Sequence, residues 1–342
     1  MKYLSLLILL IVAVLQTQAK VWRINNTPGV IADFTNCQAA LSSASVVNGD
    51  TLHVEGSAVI YAGFTLDKRL VIIGTGYFIS GANSNSGLQA NPFTANFNGG
   101  AILFDSTGSG SSLIGLDNFF LAIGANLGSA TDNITVTRCN INTLSQYYGY
   151  TAGTIMTGWK INKCYIASTL DLSAQVLQNW EVTNNIFQAS INMSHTGNLN
   201  NLIRNNVFRA GINLYSAYFS NNIISGTTFT TTNVTIKNNI SGGTNLPAGN
   251  GNLNSQPDAI VYQGISGNST DGQWRLAGGS PAIGAGETIS GITPDCGAYG
   301  TADPYKLSGI PAIPTIYLLT VPGTVPSNAT NMPITISTKS NN

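Results

Sequence analysis

Charge is what this chain has least of. Lys, Arg, Asp and Glu make up only 8% of its 342 residues, and 14 basic side chains balance 14 acidic ones. So sparse and neutral an inventory gives neither the cationic footprint that nucleic acid requires nor a patch for an anionic membrane. Neither is an expected partner. With 2 histidines and 4 cysteines, none of the latter in a CxxC pair, a zinc site has almost no ligands to draw on. The cysteines are also too few for the disulfide framework of a small secreted scaffold. No metal or cofactor is expected. What remains is 43% hydrophobic, with 37 glycines and many Asn, Ser and Thr, which favours turn-rich β structure over disorder.

Long apolar runs are missing as well, except at the start. Met1–Ala19 carries one Lys, an apolar run from Leu4 to Leu15, and small residues at Thr17 and Ala19. This pattern predicts a secretory signal peptide cut after Ala19. The run is short for a bilayer span, no cysteine follows the cut to take a lipid, and no later segment reads as transmembrane. The expected location is therefore secreted or cell-surface.

The stretch from Asp132 to Ser241 repeats itself. Six eight-residue blocks align without gaps: ITVTRCNI from Ile134, WKINKCYI from Trp159, WEVTNNIF from Trp180, NLIRNNVF from Asn201, AYFSNNII from Ala217 and VTIKNNIS from Val234. Their sixth places, Cys139, Cys164, Asn185, Asn206, Asn222 and Asn239, fall 25, 21, 21, 16 and 17 residues apart. Self-similarity at such periods marks a solenoid. Within each block the third place is apolar and the fourth polar, so the period is two and the blocks hold strands. A coil of this length has no room for a long helix besides its strands. Identical strands one coil apart must run parallel, which gives an all-β parallel β-helix.

Places five and six form the corner. Place five holds Arg138 and Lys163, costly to bury; place six holds Cys139 and Cys164, readily buried. Column six is therefore expected inside, its stacked Asn amides hydrogen-bonded along the axis. Column five is expected outside, where Asn tolerates left-handed backbone. A second strand should follow six residues later, with Leu170, Leu172, Ile191, Met193, Ile212 and Leu214 inward and Asp171, Asn192 and Asn213 outward. Phe119 is expected at the ladder place of an earlier coil.

Asn36 before CQAAL predicts a short capped helix that would cover the open N-terminal end. Residues 20–300 are assigned to the solenoid with this cap. Residues 301–342, punctuated by Pro311, Pro314, Pro322, Pro326 and Pro333, are assigned to a C-terminal cap and short β tail.

Three stretches resemble exported right-handed parallel β-helix proteins of Bacteroidetes type, in the pectin-lyase-like superfamily. They are GDTLHVEGSAVIYAGFTLDKRLVIIGTGYF, the NN blocks, and WRLAGGSPAIGAG with DCGAYG and PYKLSGIPAIP. The resemblance implies a right-handed solenoid and an exported protein. It leaves activity open, because the superfamily mixes lyases, hydrolases, adhesins and members of unknown role.

A hydrolase of this type needs paired carboxylates, yet no two acidic residues adjoin in sequence. A calcium-dependent lyase needs several carboxylates and a basic residue, and the repeat coils supply Asp132, Asp171 and Glu181 in different columns. Trp159 and Trp180 sit at an inward place and read as core, and His195 reads as a turn residue. The expectation is a monomeric, non-catalytic structural or glycan-binding module; the alternative is a polysaccharide lyase or glycoside hydrolase acting on an acidic polysaccharide. The candidate binding residues are Lys160, Lys163 and Arg204, with Glu181 among them, and Tyr147, Tyr148 and Tyr150 on a loop that could close over a glycan laid along the axis.

Overall fold

The computed structural model describes residues 19–123, 130–146, 151–226 and 228–341. The predicted leader, apart from Ala19, lies outside the described residues, as do Tyr147, Tyr148 and Tyr150.

The repeat blocks fold as their alternation dictates. The residues before each corner build one 10-stranded sheet, from Val21–Ile24 through Lys160–Asn162 and Glu181–Thr183 to Thr235–Lys237. Those after it build a 13-stranded sheet, to which single coils contribute two strands, as with Tyr165–Ile166 and Leu170–Asp171. Neighbours pair parallel and in register, Thr135 opposite Lys160 and Lys160 opposite Glu181. The chain is an all-β parallel solenoid.

In-register stacking places like on like. Trp159 and Trp180 lie 5.0 Å apart with planes 5° from parallel, and Phe187 and Phe208 lie 4.8 Å apart. All four are buried in one continuous core. Each indole N–H donates to a carbonyl, Trp159 to Thr131 and Trp180 to Met156, which meets the requirement that buried indoles find a partner. The second inward strand is present as expected, with Leu170, Ile191 and Ile212 buried and Asp171, Asn192 and Asn213 aligned in one outward column.

Column six is the internal ladder. The Oδ1 of Asn206 accepts from the backbone N–H of Asn185, that of Asn222 from Asn206, and that of Asn239 from Asn222, each at 2.9 Å. Asn252 accepts from Asn239 at 3.0 Å and extends the ladder one place beyond the repeat. Cys139 and Cys164 are fully buried free thiols. In the preceding coil the ladder place belongs to Leu116, not Phe119. Ile114 pairs with Thr137, so Leu116 stands opposite Cys139, whose sulfur accepts from its N–H. Phe119 is buried elsewhere in the core.

Column five adopts the left-handed backbone from Arg138 to Asn238, with φ between 51° and 58°. It points out of the coil but is not solvated, because residues 282–311 pack over it. The chain leaves the stack after Leu253 and climbs back along the corner. Asn238 donates to Ala285 O, Asn205 to Asp295 O, Asn184 to Ala298 O and Arg138 to Ile310 O. Under this strap lies a second core, in which Tyr165, Ile186, Val207, Ile223 and Ile240 meet Ala282, Cys296, Ala298 and Tyr305. The outward place after the ladder is apolar there because it too is covered. At the far end of the strap Gly309 has φ +54°, and a Cβ on it would stand 2.2 Å from Arg138 O. Only glycine allows that approach.

The helix Cys37–Leu41 forms with Asn36 as its N-cap, accepting from Ala39 N–H at 2.8 Å. The tail beyond the strap is an antiparallel hairpin of Thr315–Thr320 and Thr335–Lys339, its side chains mostly exposed. Among the described residues no helix is long and apolar enough to cross a membrane.

Candidate functional site

Each of the four charged coil residues expected to meet a glycan is already paired. Lys160 and Glu181, opposite one another in register, form an exposed pair at 3.2 Å. Lys163 pairs with Asp303 of the strap and is largely covered by it. This ammonium holds the Asp303 carboxyl below its ordinary range through their hydrogen bond. Arg204 donates to Ser220 Oγ at 2.8 Å and to Glu287 of the strap at 3.2 Å. Glu287 also accepts from the Tyr218 hydroxyl at 2.6 Å and lies 3.8 Å from Lys237. Lys163, Arg204 and Lys237 thus fasten the strap, while Lys160 pairs within the coils.

A different cavity opens where that cover ends. Following the place after the ladder toward the N-terminus, Ile240, Ile223, Val207, Ile186 and Tyr165 give way to Asn140 and Asp117, and a bridge adds Asn96. Asp117 and Asn96 line a cavity of about 370 Å³, together with Ser57, Ser80, Thr94, Phe78, Phe93 and Pro92. That volume is at the small end of the range for small-molecule sites, roughly 300–1,000 Å³.

Asp117 is 8% exposed. One of its oxygens accepts from Thr94 Oγ1 at 2.6 Å and the other from Asn140 Nδ2 at 2.8 Å. Burial pushes its pKa up against the opposing effect of these two donors. A carboxylate offers about four acceptor positions, so two remain for a ligand. The wall bearing Thr94 is pressed against the coil at Gly56, where a Cβ would meet Phe93 O at 2.1 Å. Asn91 fastens it by donating to Gly56 O.

Phe78 has φ +48°, a rare and strained conformation for a bulky residue. It is held there from several sides. Its carbonyl accepts from Asn85 N–H and Ser308 Oγ, and its ring meets Tyr77 and Tyr165 edge-on, each at 5.0 Å. Phe93 is 46% exposed. A carboxylate, hydroxyls, an amide and two phenyl rings thus converge on one hollow, a combination suited to a polyhydroxylated ligand with apolar CH faces.

The sequence reading missed Asp117. One signal was available: the place after the ladder is polar at Asn140 and apolar in every later block, so the outer surface must change character at that coil.

A second cavity, of about 340 Å³, separates His53 from the hairpin root at Pro311, Ile313, Pro314, Ile316 and Leu319. Burial lowers the pKa of His53, but no carboxylate lines this hollow. Among the described residues no three His, Cys, Asp or Glu side chains are grouped as a metal site would require. No protein-family model matches the chain, and no curated protein is similar enough to be matched. The class that stands is the one the backbone defines, a parallel β-solenoid closed along one corner by its own C-terminal strap.

Proposed function

We propose that this chain is an exported, non-catalytic β-helix module that binds a glycan, with the Asp117 cavity as its site. The leader-like pattern at Met1–Ala19 supports export to the cell surface or beyond. The quoted stretches support kinship with right-handed pectin-lyase-like proteins of Bacteroidetes type. The observation that carries the binding half is the change of one outward column from covered and apolar to open and polar, with Asp117 and two phenyl rings at the change.

The non-catalytic half rests on Asp117 being the one acid among the described residues lining the cavity. Glycoside hydrolysis ordinarily uses two carboxyl groups about 5–9.5 Å apart. The raised pKa of Asp117 favours one other reading, a general acid in a lyase or hydrolase. One experiment decides between them. The purified protein is passed over a panel of immobilised polysaccharides, while soluble ones are incubated with it and followed by uronate absorbance and reducing ends. Retention on a glycan, lost in Asp117→Ala, without product, is the expected result. Product release would overturn the non-catalytic half, and no retention on any glycan would overturn the binding half.

A further inference from the structure

We infer that the Asp117 site selects a neutral, hydroxyl-rich glycan over an acidic one and lays it along the solenoid axis. The inference rests on the glycan-binding reading above. Its first support is the charge around the hollow. The walls come from residues 57–60, 78–80, 92–96 and Asp117, and no Lys, Arg or His lies among the lining residues. Asp117 is the sole titratable group there, and the donors behind it, Thr94 and Asn140, are neutral. A sugar carboxylate in this hollow would face another carboxylate with no cation to offset it, in a setting that screens charge poorly. A hydroxyl donates to Asp117 without that cost.

The second support is an external row of amides starting beside the cavity. Asn118 Nδ2 donates to Asn98 Oδ1 at 3.3 Å, and Asn142 Nδ2 donates to Asn118 Oδ1 at 3.2 Å. Asn98 is exposed, and Asn118 and Asn142 are partly so. The row is polarised head to tail. Among the described residues the Asn98 Nδ2 at its open end has no partner, and Asn98 lies two residues from Asn96 in the cavity wall. The rungs, about 4.8 Å apart, step at a distance close to the repeat of an extended glycan. The row is uncharged and, like the cavity, carries no cation to attract a uronate.

Calorimetric titration tests this, with neutral glucose-, mannose- and galactose-based oligosaccharides of two and six sugars set against oligogalacturonate at low salt. At pH 7 a neutral series should bind at least tenfold more tightly than the uronate. Asp117→Asn, isosteric and checked for folding by circular dichroism, should narrow that gap. So should lowering the pH toward 4, because the raised pKa of Asp117 lets it protonate early. Asn118→Ala with Asn142→Ala should weaken the six-sugar ligand and leave the two-sugar ligand unchanged. Uronate binding as tightly as the neutral series, or a gap indifferent to Asp117→Asn, would overturn the selectivity and leave glycan binding standing. Equal effects of the paired alanines on short and long ligands would overturn the axial course. If no oligosaccharide binds, the glycan-binding reading itself fails.

Discussion

Replacing Asn206 by Leu removes several bonds at once. The backbone N–H of Asn185 loses its acceptor, and Val182 O loses the Nδ2 donor at 2.8 Å. Each buried group left unpaired costs about 1–3 kcal/mol, so the denaturant midpoint should fall markedly. Asn205, one residue earlier, points the other way. Read from sequence as a surface position, it invites the expectation that Leu is tolerated there. The structure revises this, because Asn205 is 1% exposed and donates to Asp295 O beneath the strap. Asn205→Leu should also destabilise, by about 1–3 kcal/mol for the left-handed backbone alone. Asn205→Gly should recover that part and not the lost bond. If Asn205→Leu matched the wild-type midpoint, the strap would not be seated there. Which neighbour faces inward was legible in Cys139 and Arg138, since burial cost separates them. That both would be buried was not, because the cover comes from far along the chain, 90 positions away for Asn205 and Asp295 and 172 for Arg138 and Ile310.

At the scale of elements, two interactions carry separate predictions. The stacked indoles fill the core between consecutive coils, and Trp180→Ala should cost about 3–5 kcal/mol as a large cavity opens. Urea titration reads it, and a loss below 1 kcal/mol would mean that the stack is not a core feature. The strap is held differently, through close backbone approach and ion pairs at its margin. Gly309→Ala would drive a Cβ into Arg138 O and the Tyr77 ring. Its strap end should then become a site of limited proteolysis while the repeat coils stay protected; unchanged cleavage would contradict the docking. Strands were legible because their signal recurs at every coil. The strap was not, since Lys163–Asp303 and Arg204–Glu287 each occur once, with no period to expose them. The Asp117 cavity shares that fate: its walls come from three separated stretches besides Asp117 itself, and only the apolar-to-polar change at Asn140 hinted at it.

For the molecule as a whole, burial sets the pH limits. It pushes the Cys37 and Cys296 thiols and the Tyr61 and Tyr165 hydroxyls up to about 12. Unfolded, these groups ionise near roughly 8.5 and 10, so between those values and about 12 the native state holds more protons than the unfolded one. Stability should therefore be full below about pH 8.5 and fall as pH rises toward 12. A denaturant midpoint flat or rising from pH 8 to 11 would contradict this. The same burial should leave Cys139 and Cys164 unlabelled by thiol reagents until the chain unfolds.

Lys163 and Arg204 are occupied by the C-terminal strap, and the proposed ligand site lies beyond it, at Asp117. Hydrogen exchange in the presence of a bound oligosaccharide tests this directly, because it reports where the backbone is protected without presuming the site. New protection is expected in segments 57–60, 78–80 and 92–98 and around Asp117, with none over Lys160–Lys163 or Arg204. Protection centred on those cations, with the Asp117 walls unchanged, would contradict it.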